Sequence, residues 1–582
     1  MINEVSKKDK KYIFILSIIL TMVVLLPLFF KGIYRGHDLQ FHISRIDGIV
    51  QAIQDHQFPI ALYPYKNFGY GYASPLFYSD LFLIIPAIIY KLFNLNIVTV
   101  YKAIVFVFVE LTAFTTIYYT YKLFGNLKSA FLASIVVLFS NYYLTDLYIR
   151  CALGEIIALS FLPFLFFNIY VFIYHEQNNY IELGIGFALL LYSHIITFVL
   201  SVVVFGILLL MNYKSIIKKE RIIELFKAMG VGILLSLSFL APMLEQYMNL
   251  DLNIHHVDSS LMQSTALSIS DLFTDVMLQF KLSYNNPIGL AEMDKSKTIG
   301  IVILVVSSIY LIKKNKYRPI TQIFALAIVL LVMSTKYIPL YKIAFLDFIQ
   351  FPSRLFIICI FLLSFVIAYT YKDICNNYLI ILVAVISILN SSFLFVTIRN
   401  DEVSYIIPEN VTAHELFVER KHAKHETEYV ITNREEVMNG EYLPYSYEMN
   451  YAKGSGCIDY LDYSHAVCEY ERSGTHFKFS TNFNYDSELI LPISYYIGYK
   501  GFEVDNQGKR IKEIDIRYEL YSKRVLLEAP SGIHHYEVEY SGTMIQKVSL
   551  IISSTTSLVL VYNWLKKYRI KNTPNNKPKN VK

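Results

Sequence analysis

The sequence lacks the short motifs of soluble nucleotide-dependent and hydrolytic enzymes. It contains no Walker loop, no dinucleotide-binding glycine motif, no GxSxG and no HExxH; these motifs mark phosphate-binding loops, nucleophilic serines and catalytic zinc. Charged residues are only 17% of the 582 residues, and the net charge is +5. Lysine and arginine cluster in short loops and at both ends, so no basic groove is indicated. The sequence therefore predicts no nucleotide cofactor and no nucleic-acid partner.

Cysteine is also scarce, and the five cysteines show no metal-ligand spacing. Cys151, Cys359 and Cys375 fall in or beside apolar runs, whereas Cys457 and Cys468 lie in a long polar region. Only that last pair is a plausible disulfide.

Long apolar runs dominate the chain, of which 55% is hydrophobic. A run near 20 residues spans the hydrocarbon core of a bilayer, about 30 Å, so the sequence predicts a polytopic α-helical membrane protein. The first run is too long for a signal sequence and no cleavage site follows it, so a retained helix is expected. The runs lie at 11–30, 75–95, 99–121, 129–147, 155–175, 180–213, 222–247, 298–314, 319–338, 350–372, 378–398 and 547–565.

Two of these runs are ambiguous. The 180–213 run is too long for one ordinary span and carries Ser193 and His194 in its middle, where polar groups facing lipid are costly. Two short helices that turn at this pair remove the cost. The 75–95 run contains Asp80 and Pro86, and it either spans the bilayer or lies in the outer interface.

Basic loops decide between two topologies, because lysine and arginine stay on the cytoplasmic side. If 75–95 does not cross and 180–213 crosses twice, twelve spans put every basic segment inside, with both termini in the cytoplasm. If 75–95 crosses and 180–213 crosses once, twelve spans also result, but 122–128 goes outside and Glu155 goes inside. We favour the first topology. Its cytoplasmic basic segments are 6–11, 122–128, 214–221, 313–318 and 566–582.

The predicted domains follow from this topology. Residues 1–398 form a multi-span membrane domain, with a first outer loop at 31–98 and a second at 248–297. Residues 399–546 are polar, with alternating stretches bounded by turn signals, which predicts an extracytoplasmic β-sandwich-like domain. A final transmembrane helix at 547–565 and a basic cytoplasmic tail at 566–582 complete the chain.

The stretch GHDLQFHISR places Asp38, His42 and Arg45 at helical spacing just after the first span. A second, apolar stripe on the same segment predicts an amphipathic helix at the outer surface. Its polar face offers groups that accept a proton, hold a divalent ion or bind phosphate. The alternative is an interfacial helix with a solvated face. Substitution of Asp47, which matches no motif, is expected to be silent.

Three other spans carry polar residues near their predicted outer ends. Glu155 begins one span, with Arg150 five residues before it; an acid at that depth indicates a functional group or a structural pair. His194 at a helical turn either contacts phosphate or metal or simply caps the turn. Arg354 opens a span behind Pro352 and either binds phosphate or extends towards lipid headgroups.

These residues together resemble the GT-C superfamily of multi-span glycosyltransferases. More closely, the chain resembles bacterial membrane proteins labelled 6-pyruvoyl-tetrahydropterin synthase-related, and more distantly YfhO-like proteins. The pterin label finds no chemical support, because no zinc-type histidine cluster is present. The resemblance rests on the outer acid Asp38, Pro64, GYGYASPLFY at 69–78, YIRCALGE with Glu155, His194, and FPSR with Arg354.

The resemblance implies a sugar donor linked to polyprenyl phosphate and a glycan, lipid or protein acceptor, at the outer face of a bacterial plasma membrane. It implies Asp38 as general base or metal-organising acid and Glu155 as a second acid, with Mg²⁺ or Mn²⁺ as a possible ion. Arg354, with Arg45 or His194, is expected on the phosphate of the leaving lipid. The alternatives are a transporter or flippase of lipid-linked glycans, although no internal repeat supports it, and a non-catalytic envelope assembly protein.

Overall fold

The computed structural model describes residues 2–572, apart from residues 31, 35, 257–259, 274–298, 315, 401–405, 408–416, 423–426, 433–439 and 446–455. Its α-helices are Lys7–Val24, Leu39–Gln54, Ser74–Phe77, Ile84–Leu92, Ile97–Phe124, Leu127–Leu138, Asn141–Leu144, Leu153–Tyr174, Tyr180–Ser193, Ile195–Met211, Tyr213–Ile216, Lys219–Asn249, Ser260–Ser264, Ile269–Phe273, Ile301–Ser308, Arg318–Met333, Phe356–Tyr371, Asn377–Asn400 and Met544–Asn572. Most of the second predicted outer loop and the end of the basic tail, residues 573–582, lie outside the described residues.

The predicted membrane-helix fold is confirmed. Within the described residues, five helices are long and apolar enough to cross a bilayer: Ile97–Phe124, Leu153–Tyr174, Lys219–Asn249, Pro352–Tyr371 and Met544–Lys567. A sixth span results if Leu127–Leu138 and Asn141–Arg150, bent by 52°, form one broken crossing. Shorter apolar helices occupy several other predicted runs, and the number of twelve crossings stays a prediction.

The long run at 180–213 folds as two helices, as the sequence predicts. Tyr180–Ser193 ends at His194, which begins Ile195–Met211. The rings of Phe187 and Phe205 lie 5.6 Å apart, although 18 residues of straight helix would separate them by about 27 Å. The two helices therefore fold back on each other at His194.

Several interhelical segments meet at one end of the bundle. The Asn3 side chain donates to the Lys122 carbonyl at 3.2 Å, and the Asn126 side chain donates to the Lys372 carbonyl at 2.6 Å. The favoured topology places all four residues on the same side of the membrane. The second topology would put Asn3 and Lys122 on opposite sides of the membrane.

Contacts at the opposite end of the bundle also favour the first topology over the second. Arg150 lies 2.9 Å from Glu155 and 3.8 Å from Asp38, whereas that topology puts Asp38 outside and Glu155 inside. The 75–95 run also forms no long helix, because its longest helix is Ile84–Leu92. The loops that lie together at each end of the bundle thus agree with the favoured topology. The assignment of this end to the outer face stays a prediction.

The sequence predicts that the Leu39–Gln54 helix lies at the surface, but in the structure the helix is buried. Its polar face is not solvated either, so the alternative interpretation also fails. His42 and Arg45 are 2% and 3% exposed. Asp47, expected to tolerate substitution, is 7% exposed and accepts from Lys66 at 2.6 Å. The prediction was wrong because the following loop folds back over the polar face and supplies its counterions, which helical periodicity alone does not reveal.

The described part of the β-rich region contains two five-stranded antiparallel sheets. In sheet order, the first has Arg510–Ile514, Tyr499–Val504, Gly532–Tyr540, His476–Phe483 and Glu471–Ser473; the second has Arg517–Tyr518, Arg524–Ala529, Ser487–Ser494, Ile458–Tyr460 and His465–Val467. Phe479 pairs with Tyr536 in one sheet and Leu489 with Leu527 in the other. Alternation buries one face of each sheet in a shared core, and Cys457 and Cys468 form the expected disulfide.

Two short two-stranded ladders complete the strands of the described residues. Ile33–Tyr34, in the first outer loop, pairs with Ile406–Ile407. Phe417–His422 pairs with Thr427–Thr432. Much of the remaining predicted domain before Cys457 lies outside the described residues, so its predicted boundary at 399 stays a prediction.

The β-rich region packs directly on the first outer loop. Its core includes Leu62 and Phe77 of that loop, each no more than 2% exposed. The Ser494 amide donates to the Tyr70 carbonyl at 2.7 Å. One hydrophobic core therefore joins the loop to the sheets, and this packing fixes the loop residues that approach the site.

Candidate functional site

A helix break positions the first charged residue of the site. Thr145–Arg150 forms a π-helical turn, after which Cys151 adopts a left-handed backbone with φ of 54°. π-Helical turns occur frequently at functional sites. The turn places Arg150 on the same helical face as Asp146, and its Nη1 donates to the Asp146 carboxylate at 2.7 Å. Leu153–Tyr174 then begins, with Glu155 in its first turn.

Glu155 receives hydrogen bonds from three different segments. Its Oε1 accepts from Arg150 Nη2 at 2.9 Å and from Arg354 Nε at 3.1 Å, and its Oε2 accepts from the Tyr142 hydroxyl at 2.8 Å. The Glu155 side chain is only 2% exposed. A buried carboxylate needs such partners, so Glu155 acts here as the counterion that orients two arginines.

Arg354 has capacity left for a ligand. Besides Glu155, its Nη1 donates to the Ile349 carbonyl at 3.0 Å and to Gln350 at 2.7 Å. Its Nη2 makes no hydrogen bond to any residue that the structure describes. A guanidinium held in place with one free nitrogen is suited to bind an anion.

Asp38 is the accessible acid of the site. It precedes Leu39–Gln54, and its amide donates to the Arg150 carbonyl at 2.7 Å, which joins the first outer loop to the helix break. Its carboxylate lies 3.8 Å from Arg150 and its side chain is 39% exposed. Among the described residues no group donates a hydrogen bond to the Asp38 carboxylate, which therefore lies beside the arginine pair and is accessible to an incoming group.

His42 and Arg45 form a neighbouring cluster that is internally satisfied. Arg45 Nη2 donates to Asp80 at 2.8 Å and to the Ser79 carbonyl at 2.6 Å. The Arg45 guanidinium also lies 4.4 Å from the centre of the Tyr78 ring. Burial, together with the charge of Arg45, holds the pKa of His42 well below its usual range, so His42 is neutral at pH 7.

His194 contacts the same network. Its Nε2 lies 3.9 Å from Glu155, and its Nδ1 lies 2.8 Å from the Thr197 hydroxyl. The Tyr78 ring lies 6.3 Å from the His194 ring and 6.1 Å from the His42 ring. The structure thus brings all seven predicted site residues to one end of the bundle. Asp38, Arg150, Glu155, His194 and Arg354 form one cluster, and His42 and Arg45 form its neighbour.

Comparison with known families gives the chain its classification. A family model described as the 6-pyruvoyl-tetrahydropterin synthase related domain of membrane proteins matches residues 76–398. This match covers more than half of the chain. The chain belongs to this family. No curated protein matches the chain.

Solved structures similar to this family member include the mycobacterial arabinofuranosyltransferase AftD, determined by single-particle cryo-EM. The identity is 11% and the TM-score 0.41, over 71% of this chain and 28% of AftD. A mutant form of AftD gives 10% identity and a TM-score of 0.39, over 68% of this chain and 28% of that one.

The pterin-synthase part of the family name has no counterpart in the described residues. The described residues contain one group of three potential metal ligands within 4.8 Å of one another, namely His476, Glu537 and Glu539. Arg510 donates to both carboxylates, at 2.7 and 2.9 Å, and His476 lies 2.5 Å from Glu537. The group is therefore an ion-pair network, and the described residues contain no zinc-type histidine cluster.

Sequence reasoning missed several partners in the site. Tyr142 and Asp146 lie on the helix break, and Asp80 neutralises Arg45 from 35 residues away. The pairing of Asp80 could have been predicted, because an acid in an apolar run is costly unless it is paired. Tyr142 carried none, since aromatic residues are abundant throughout the apolar runs.

Proposed function

We propose that the chain is a membrane glycosyltransferase. It moves a sugar from a polyprenyl-phosphate donor to a hydroxyl group of an envelope acceptor, at the outer face of a bacterial plasma membrane. One observation supports the proposal. The partly exposed carboxylate of Asp38 lies beside an arginine pair, and one guanidinium nitrogen of Arg354 has no hydrogen-bond partner among the described residues. The sequence resemblance to GT-C enzymes supports the same reaction.

Each group has a distinct task in the proposed reaction. Asp38 accepts the proton of the acceptor hydroxyl as that oxygen attacks the anomeric carbon of the sugar. Arg354, with His194 beside it, stabilises the phosphate that leaves with the lipid. Glu155 holds Arg150 and Arg354 in place through its Oε1. Its Oε2 accepts from Tyr142, so neither oxygen is available to act as a base. Arg45 supports the fold of the first outer loop through Asp80.

A divalent ion fits Asp38 better than Glu155. Arg150, at 3.8 Å, is the one cation paired with the Asp38 carboxylate among the described residues, and the Asp38 side chain is 39% exposed. Glu155 would have to give up arginine and tyrosine donors to bind Mg²⁺ or Mn²⁺. In the proposed site an ion held by Asp38 would lower the pKa of the acceptor hydroxyl.

The test is a comparison of envelope glycans by mass spectrometry. Cells that express the wild-type chain or Asp38→Asn are compared with cells that lack the chain. Asp38→Asn keeps the size of the side chain but removes the base, so transfer should fall by about 10² to 10⁴. Asp515→Asn, at a position 83% exposed on the β-rich region, is the control and should not change the glycan. An unchanged glycan with normally expressed Asp38→Asn would refute the proposal.

A flippase for lipid-linked glycans is the second candidate. The 52° break between Leu138 and Asn141 favours it, because broken helices often form substrate sites in transporters. A flippase would leave its glycolipid chemically unchanged and shift it between leaflets. Accumulation of the unmodified lipid-linked sugar on the inner leaflet, in cells lacking the chain, would favour this candidate over transfer.

A further inference from the structure

A short segment of the outer region, residues 440–445, reaches the end of the bundle that carries the site. It is held by the chain that follows the Lys219–Asn249 helix. The Asn253 side chain donates to the Gly440 carbonyl at 2.9 Å, and the Ile254 amide donates to the Glu441 carbonyl at 2.9 Å. These contacts fix the backbone on both sides of the Glu441 side chain.

The next residue joins the segment to the site. The Tyr442 ring stacks on Phe77, with ring centres 5.1 Å apart and planes at 6°, and the Tyr442 carbonyl accepts from the Tyr496 hydroxyl at 2.9 Å. Phe77 directly precedes Tyr78, whose ring contacts Arg45. The segment therefore rests on the same loop that lines the predicted active site.

Glu441 is a half-buried carboxylate that no described residue neutralises by contact. No hydrogen bond or ion pair joins it to the residues that the structure describes, but it interacts electrostatically with Arg354 and Asp38. Burial raises the pKa of Glu441, the charge of Arg354 opposes this rise and the charge of Asp38 adds to it. An unpaired acid in such a place is costly for the fold, and such costs are typical of binding sites.

We infer that Glu441 is an acceptor-binding residue, which the outer region contributes to the site in the membrane domain. This inference rests on the proposed glycosyltransferase function. Glu441 accepts a hydrogen bond from a hydroxyl of a sugar-like acceptor, next to the hydroxyl that reacts. The reacting oxygen forms a bond to the anomeric carbon and gives its proton to Asp38. The bond from that carbon to the phosphate oxygen breaks, and polyprenyl phosphate leaves with the electron pair.

The experiment uses the full-length chain in cells, with the envelope glycan measured by mass spectrometry per amount of membrane-inserted protein. Glu441→Gln should lower product about 10- to 100-fold, the range for loss of a hydrogen bond to a charged group, and Glu441→Asp should recover part of it. Glu469→Gln, at an exposed position of the β-rich region, should leave product unchanged. Formation of the Cys457–Cys468 disulfide, checked in each variant, reports that the region has folded.

A charge-restoration experiment separates binding from folding. Glu441→Cys should be inactive, and a membrane-impermeant methanethiosulfonate carrying a sulfonate should restore product by returning a negative charge. The same reagent carrying a trimethylammonium group should not. Recovery with both reagents, or with neither, would overturn the acceptor-binding role.

The two proposals fail differently. If Asp38→Asn abolishes product while Glu441→Gln forms it at the wild-type rate, the role of Glu441 is wrong and the proposed function stands. If neither substitution changes the glycan, the proposed function is wrong and the role of Glu441 falls with it.

Discussion

The Glu155→Gln protein should unfold more readily than the wild-type protein, in addition to any loss of activity. The substitution removes the negative charge between Arg150 and Arg354, whose side chains are 6% and 9% exposed. Arg150 keeps Asp146 as a partner, but Arg354 loses the one carboxylate that it contacts among the described residues. Removal of one partner from a buried ion pair costs about 3–5 kcal/mol. Asp38→Asn acts on a contact of 3.8 Å at a side chain 39% exposed, so its cost should stay below about 1 kcal/mol.

Heating of the detergent-solubilised protein, followed by size-exclusion chromatography of the surviving fraction, measures this difference. Glu155→Gln should lose its monodisperse peak at a clearly lower temperature than wild type, and Asp38→Asn should not. Arg354→Met combined with Glu155→Gln should cost less than the two changes summed, because they remove parts of one network. A Glu155→Gln protein as heat-resistant as wild type, or strictly additive costs, would refute the assignment of Glu155 as the shared counterion.

Two further predictions concern the first helix of the outer loop and the topology. Asp47→Asn should destabilise the protein by about 3 kcal/mol or more, because it leaves Lys66 buried without its partner at 2.6 Å; heat resistance equal to wild type would contradict this. Impermeant thiol reagents on intact cells should label Lys512→Cys in the β-rich region and should not label Lys219→Cys, since the favoured topology puts them on opposite sides. The reverse labelling would invert the topology.

The sequence predicted the helical part well because lipid imposes a strict rule on it. A spanning backbone must satisfy its own hydrogen bonds, so long apolar runs become helices. The same rule located the break at His194, since a polar pair in the middle of a long run is costly. The predicted sidedness of the loops put Asp38, Glu155 and Arg354 at the same end of the protein. In the structure they lie in one cluster, in which Arg150 contacts Asp38 and Glu155, and Glu155 contacts Arg354.

The sequence did not predict what each of these residues would bind. Helical spacing placed His42 and Arg45 on one face, but their environment depends on Asp80, which reaches Arg45 only after the chain reverses direction. Glu155 matched a family acid, yet its role follows from Tyr142 and Arg354, the latter 199 residues away. Such pairings are set by tertiary contacts, which neither composition nor periodicity records.

The shared core between the outer region and the first outer loop has a consequence for the site. Leu62 and Phe77 are 0% and 2% exposed where they pack among the β-sheet side chains, and burial of each large apolar side chain is worth about 1.5–3 kcal/mol. Phe77 adjoins Tyr78, which packs on Arg45. The β-rich region therefore stabilises the conformation of the loop behind the site as well as carrying Glu441. Because Phe77 packs in the β-sheet core and Tyr78 packs on Arg45, displacement of the sheets would expose the apolar residues of the loop and move the Tyr78 ring at the same time.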